Sequence, residues 1–155
     1  MTMIIREAKV KDAQAIMALQ ERSVLGLCQG DYTLEQLEEW VSLGTLKVYQ
    51  LRLENHRAWV AVAEGHIAGY VRWNPMSNEL CSVYVDPDYT RQGIATKLMA
   101  IACEDAASHG VGKMWLDASL TAVPFYKTLG WKFVENRMHG ALACVRMTKQ
   151  VSNQP

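Results

Sequence analysis

The stretch LCSVYVDPDYTRQGIATKLM, residues 80–99, decides the fold. Its first half, extended back to Glu79, reads as a β-rich run, ELCSVYV over 79–85, stopped by Asp86-Pro87. Its second half opens a long helix from about Gln92 to His109. Ile94, Leu98, Ile101, Ala102 and Ala106 form its buried face, and Gly110 ends it. A short polar turn joins the two halves. A helix start of this kind exposes main-chain N–H groups with no partner in the chain, and the aligned peptide dipoles favour an anion there. Gly93 and Ala95 leave room for a phosphate to approach the backbone, and Arg91 adds a charge beside them. The segment fits a pyrophosphate.

Working outward, Met3–Ala8 is a short strand. Asp12 caps a helix whose inner positions are Ala13, Ile16, Met17, Gln20 and Val24. Gly26, Gly30 and Asp31 break the chain. Thr33-x-x-Gln36 is a capping box opening a second helix to about Leu43, with Leu34, Leu37 and Val41 on one face. Ala58–Ala63 and Ile67–Trp73 read as a hairpin around Glu64-Gly65-His66. Downstream, Lys113–Ala118 is a strand and Thr121–Leu129 a short helix, with Pro124 in its first turn and Gly130 after it. Trp131–Asn136 and Ala141–Thr148 make a closing hairpin. The order β-α-α-β-β-β-α-β-α-β-β specifies an α+β domain, a mixed sheet with helices on both faces. It fills residues 1–149 as a single unit, and 150–155 is a polar tail.

Composition sets the outer bounds. The 155 residues are 50% hydrophobic and 21% charged, enough for a core without staples. Lys plus Arg and Asp plus Glu number 16 each, so nothing in the charge balance points to nucleic acid. Zero net charge leaves little repulsion between copies, which keeps a homodimer open. Cys28, Cys81, Cys103 and Cys144 form no CxxC pair, and the four histidines show no ligand spacing, so no metal is expected. The N-terminus lacks a signal-peptide core and no run approaches a membrane span. The expected location is cytoplasmic.

Two motifs then converge. Val83-Tyr84-Val85-Asp86-Pro87 followed by Thr90-Arg91-Gln92-Gly93-Ile94-Ala95 resembles the central signature of the GNAT superfamily of N-acetyltransferases, a strand ending V-D-P and then [QR]-x-x-G-x-[GA]. Thr90 departs from the Gln or Arg of that pattern. At the family's separation, Trp115-Leu116-Asp117 and Phe125-Tyr126-Lys127-Thr128-Leu129-Gly130-Trp131 resemble its fifth strand and its F/L-Y-E-K-x-G-F motif.

The resemblance implies the GNAT acyl-CoA N-acyltransferase fold, with central strands that splay apart around acetyl-CoA. The pantetheine is expected along the backbone of Val83 and Val85. The amides of Arg91, Gln92, Gly93, Ile94, Ala95 and Thr96 are expected to hold the pyrophosphate. Ser119 stands where many relatives have an Asn that contacts the coenzyme; it equally suits the N-cap of the next helix. The implied reaction is direct attack of a primary amine, on a small molecule or a peptide, on the thioester. Tyr126 takes the general-acid position. Asp117 is the preferred base and Glu79 its rival, with water as the remaining route. An acyl-cysteine at Cys28 or Cys81 finds no histidine placed to activate it. The acceptor region maps to Leu27–Trp40 and Arg137–Leu142, with Tyr32, Trp40 and Trp73 as an aromatic wall and His139-Gly140 as turn residues. A non-catalytic acyl-CoA-binding module is the alternative.

Overall fold

The computed structural model describes residues 2–153. Seven strands form one mixed sheet in the order β1-β2-β3-β4-β5-β7-β6. They are β1 Met3–Glu7, β2 Arg57–Ala63, β3 His66–Asn74, β4 Glu79–Val85, β5 Lys113–Ser119, β6 Lys132–His139 and β7 Leu142–Gln150. Helices α1 (Ala13–Leu27), α2 (Leu34–Ser42) and α3 (Leu46–Asn55) connect β1 to β2. Helix α4 (Ile94–Ser108) is the crossover from β4 to β5, and α5 (Val123–Thr128) precedes β6. Among the described residues no helix is long and apolar enough to cross a membrane.

The capping box forms as its spelling dictates: Thr33 Oγ1 accepts from Gln36 N at 3.1 Å and Gln36 Oε1 accepts from Thr33 N at 2.9 Å. Of the face expected on α2, Leu37 is fully buried but Leu34 is 63% exposed, because α2 packs only its inner edge on α1. Helix α3 is an addition to the element order read from the sequence. Thr45 caps it through Val48 N at 3.3 Å, and Tyr49 is its one deeply buried residue. The final strand also runs further than expected. Gln150 belongs to β7, Val151 N bonds Gly112 O at 2.8 Å, and Ser152 Oγ donates to Val111 O at 2.8 Å. The ordered domain therefore extends past Lys149, while Gln154 and Pro155 of the expected tail lie outside the described residues.

The sheet's two faces bury separate cores. Val71, Trp73, Ile94, Leu98, Met114 and Leu116 pack between the sheet and α4, while Ile16, Leu19, Tyr49, Val60 and Tyr70 pack under α1 and α3. Trp73 belongs to the first of these: it is fully buried and donates to Asp105 on α4 at 2.9 Å, so it is core and not part of an aromatic wall. Contact between α4 and β3 is close at Gly69, where a Cβ would stand 2.6 Å from Ile94 Cγ2 and 3.0 Å from Leu98 Cδ1. Ile94 is the first residue of α4, so that glycine seats the helix start against the sheet. On the other face a Cβ at Gly26 of α1 would meet Pro87 Cγ at 2.7 Å. The turn after β4 is thus clamped between two helices.

Candidate active site

The middle of the sheet opens. Strands β4 and β5 are parallel neighbours, yet their ladder has one register pair, Glu79 with Trp115. Two features carry β4 away. Its pairing with β3 shifts between Arg72–Ser82 and Trp73–Leu80, leaving Cys81 as an unpaired extra residue, and a bulge of this type bends the strand that carries it. On the far side of the gap β5 is held by β7 along its whole length, Lys113 to Ser119. Beyond Glu79 the edge of β4 facing β5 has no strand partner among the described residues.

At the wide end of the gap sits the turn singled out in the sequence. Asp86 is buried, accepts from Asp88 N at 2.9 Å and Arg22 Nε at 3.0 Å, and donates its own N–H to Ala68 O at 2.9 Å. The Asp-Pro pair therefore fixes where β4 ends. Thr90 turns its hydroxyl back onto Pro87 O at 3.3 Å. Arg91 has φ 63° and Gly93 φ 76°, two left-handed residues that fold the main chain into a concave nest of N–H groups. Such a φ is costly for a residue with a Cβ, so Arg91 holds its place under strain of about 1–3 kcal/mol. Lys97 N bonds Gly93 O at 3.1 Å as the first helical bond, and the N–H groups of Ile94, Ala95 and Thr96 precede it with no intrahelical acceptor. A Cβ on Gly93 would meet nothing within 4 Å, so packing does not demand glycine there. Its backbone angle and open approach do.

One cavity of about 760 Å³ runs from this nest through the gap to the α1–α2 side of the sheet. It is lined by Val83, Val85, Thr90, Arg91, Gly93, Ile94, Ala95 and Thr96, and by Ser119, Tyr126, Asp117 and Glu79. Of the residues expected to bind the coenzyme only Gln92 is not part of the lining. Ser119 also caps the turn that leads into α5, accepting from Ala122 N at 3.2 Å. The outer wall comes from Leu27, Cys28, Tyr32, Trp40 and Leu43 and from His139 and Leu142 of the closing hairpin. Both expected acceptor segments contribute, and Tyr32 and Trp40 stand edge to face at 5.7 Å. Tyr32 knots the wall together, donating to Ala143 O at 2.6 Å and accepting from Leu120 N at 2.9 Å.

The two carboxylates of the cavity have different surroundings. Asp117 is bidentate to Arg146, with Nε to Oδ1 at 2.8 Å and Nη2 to Oδ2 at 2.9 Å, and Oδ2 also meets His139 Nε2 at 2.8 Å. Burial alone would raise its pKa; the bonds from Arg146 and His139 outweigh it and hold the carboxyl below the usual range. His139, assigned to a turn from sequence, ends β6 and pairs with Leu142 across Gly140-Ala141. Asp117, His139 and Cys144 hold their ligand-type atoms within 4.8 Å of one another, but the carboxylate is already neutralised by Arg146.

Glu79 makes no ion pair among the described residues. Burial first, and then the neighbouring charge of Asp117, push its pKa up, against a weaker opposing pull from Arg72. Arg72 is itself buried, bonded to His56 Nδ1 and to Ser82 Oγ at 3.2 Å, and burial with the Arg72 and Arg52 charges lowers His56 to about 4, so His56 accepts as a neutral ring. Tyr126 is buried against Phe125 and Trp131, and burial followed by Tyr84 pushes its phenol up. Burial likewise raises Cys28, and raises Cys81 to about 11, so both are protonated thiols and poor nucleophiles.

A family profile described as an acetyltransferase (GNAT) domain matches residues 28–151. The uncharacterized N-acetyltransferase YafP of Escherichia coli K12 is 25% identical over 133 residues, 86% of this chain and 83% of that protein. Among solved structures, the GCN5-related N-acetyltransferase from Rhodopseudomonas palustris superposes with a TM-score of 0.91 at 26% identity, covering 97% of this chain and 96% of that one. The PaiA N-acetyltransferase from Thermoplasma acidophilum, solved in complex with coenzyme A, gives a TM-score of 0.83 at 20% identity over 97% of this chain and 99% of its own.

Removing Arg146 leaves Asp117 charged and half-enclosed. Arg146→Met is expected to cost about 3 kcal/mol at pH 7, toward the low end for a broken buried pair because Arg146 is partly exposed. In the wild type the depressed carboxyl contributes stability above its unfolded pKa and loses it as pH falls through the folded value. In the variant the carboxyl keeps only His139 as partner and titrates higher, so acid relieves the penalty. Urea unfolding at pH 7 and 4.5 is expected to show a smaller difference between the two proteins at pH 4.5; an equal difference would assign the loss to packing over Trp115.

Proposed function

The chain belongs to the GNAT acetyltransferase family, and from that premise we propose that it transfers acetyl from acetyl-CoA to the primary amine of a small molecule or peptide by direct attack, with Glu79 as base and Tyr126 as acid. One observation carries the reading. A single cavity unites an anion-receiving nest, an unpaired strand edge, a half-buried carboxyl with raised pKa and a buried phenol.

The nest of Arg91 to Thr96 takes the pyrophosphate, through N–H groups that cost no reorganisation because the turn is already clamped. The free edge of β4 at Val83 and Val85 offers main-chain donors and acceptors to the two amides of pantetheine, as a sheet edge receives an added strand. Backbone does most of the binding here. That is why Thr90 is tolerated in place of the family's Gln or Arg, with Arg91 beside it as the loop's cation.

An alkyl ammonium with pKa near ~10 must lose a proton before its nitrogen attacks, so a base is required. We place Glu79 ahead of Asp117, the reverse of the order preferred from sequence. Asp117 has its lone pairs engaged by Arg146 and His139 and is the weaker base. Glu79 is unpaired, faces the cavity and has a raised pKa, which makes it the better acceptor. Asp117 keeps a role in the same step, because its charge raises Glu79. At the other end a thiolate with pKa about 8.5 departs. Tyr126 is a much weaker acid than that thiol, so full proton transfer would run uphill. Its phenol instead donates a hydrogen bond to the sulfur as charge develops, a contact stronger in the transition state than in the ground state. The non-catalytic reading has no use for a carboxyl without an ion pair, with raised pKa, lining the same cavity as a protonated phenol.

With saturating amine, kcat is expected to rise with pH through the ionisation of Glu79, above the ordinary carboxyl range. Glu79→Gln should erase that limb and lower kcat by about 10²–10⁴-fold, while Asp117→Asn retains a limb shifted to lower pH. A Glu79→Gln enzyme with the wild-type profile returns the base to Asp117 or water. Tyr126→Phe is expected to lower kcat by about ten- to a thousand-fold with the calorimetric Kd for acetyl-CoA unchanged; full turnover removes Tyr126 from the chemistry. Gly93→Trp, whose side chain enters open space, should abolish acetyl-CoA binding with native circular dichroism. Wild-type affinity in that variant ends the assignment of the nest.

A further inference from the structure

We infer that the acceptor is a primary amine carried on a compact apolar body, an alkyl- or arylalkylamine, and not a polyamine, an amino sugar phosphate or a peptide N-terminus. The inference rests on the proposed acetyl transfer and specifies its second substrate.

The charges are the first ground. Two acids face the cavity, and Asp117 is neutralised in place by Arg146 and His139. Among the described residues that line the cavity, Glu79 is the carboxylate left without an ion pair, and its place in the mechanism commits it to the reacting nitrogen; Asp31, which accepts from the lining Thr121 at 2.7 Å, is an exposed acid outside the lining. A second ammonium drawn inside the cavity, as in a polyamine, would be desolvated with no further unpaired carboxylate of the lining opposite it. A phosphate or carboxylate fares no better, since among the described residues the one Lys or Arg of the lining, Arg91, sits at the opposite, coenzyme end.

The wall is the second ground. Leu27, Cys28, Tyr32, Trp40, Leu43 and Leu142 bring hydrocarbon, ring faces and a protonated thiol to the cavity. The Tyr32 hydroxyl offers a substrate nothing further, since both its functions are used on Ala143 O and Leu120 N, and His139, which shares this wall, spends Nε2 on Asp117. A sugar or peptide would lose its hydrogen bonds to water on entry and find few in return. Leu27 at 40% and Leu43 at 64% exposure leave apolar surface uncovered beside the edge-to-face pair of Tyr32 and Trp40. An amine with a hydrocarbon or aromatic body covers that surface while its nitrogen reaches Glu79.

The test compares 2-phenylethylamine and the butyl-, pentyl- and hexylamine series with spermidine, glucosamine 6-phosphate and an alanine-headed hexapeptide, by thiol release from acetyl-CoA. Coenzyme binding is measured separately by calorimetry. For the arylalkylamine, kcat/KM is expected to exceed that of the three polar acceptors at least about ten-fold. Each added methylene in the alkyl series should raise it about two- to four-fold, the ratio that burial of one CH₂ supplies. Leu27→Glu, at a partly exposed helix end, should lower kcat/KM for 2-phenylethylamine about ten-fold and raise it for spermidine, with acetyl-CoA affinity unchanged. Equal or better use of spermidine, the sugar phosphate or the peptide by the wild type overturns the inference. So does coenzyme binding with no turnover of the apolar amines, which leaves the coenzyme assignment standing. Absence of coenzyme binding overturns the acetyl-transfer reading itself, and this inference with it.

Discussion

Everything about this molecule's chemistry depends on two parallel strands that meet once. A parallel pair needs a long crossover, and α4 provides it, so the helix start is delivered to the end of β4 where the strands have parted. The nest and the gap are therefore consequences of one topological event. Opening a sheet in its middle leaves main-chain groups without partners, which is expensive in a dry interior. The outer strands make it affordable: β3 holds β4 and β7 holds β5 through nearly continuous ladders. What remains unpaired faces a cavity wide enough for a ligand or water to bond it.

The same opening explains why two carboxylates on one face of the sheet have different surroundings. Glu79 stands at the last shared rung and Asp117 two residues beyond Trp115, its partner there. Asp117 has β7 alongside, and the antiparallel register places Arg146 directly opposite. Glu79 has β3 alongside, where its partner is Asn74, a neutral residue. Register alone thus decides which acid is paired and which is left free. Burial and the field of the paired acid then raise the free one.

What the sequence made legible follows from range. Residues 80–99 encode their structure locally, through β-formers, an Asp-Pro stop and a helical stripe. The two GNAT motifs extend that reading to the coenzyme loop and Tyr126. Helix α3 was missed because Leu46–Asn55 has one deeply buried residue and a cap at Thr45 without the reciprocal Glu or Gln, so neither periodicity nor a capping box announces it. The surroundings of the two carboxylates were illegible for a different reason. The bonds from Arg146 and His139 to Asp117 span 29 and 22 positions and depend on strand register, which no local pattern records. His139 looked like a turn residue because Gly140 follows it. The spare residue at Cys81 was equally silent, since a bulge is a relation between two strands.

The two faces of the sheet divide the work, and the division has a physical basis. On the α4 face a large apolar core presses Ile94 against Gly69 and fixes the nest to a rigid support. On the opposite face the wall around Tyr32 and Trp40 belongs to a small separate cluster, joined to the closing hairpin by individual hydrogen bonds such as those of Tyr32 and of Gln36 to Ala141 O at 3.4 Å. A rigid scaffold suits a coenzyme whose pyrophosphate must be met by preformed dipoles, because any reorganisation would subtract from binding. A lightly tethered wall suits an acceptor that must enter and leave at each turnover, and its side chains can change without disturbing the core beneath the nest. Asp86 is the joint between them, bonded to Arg22 of α1 through its side chain and to β3 through its backbone. Movement of α1 would therefore reach the nest first through that ion pair and through the contact of Gly26 with Pro87, which couples the nest to the wall on the other face of the sheet.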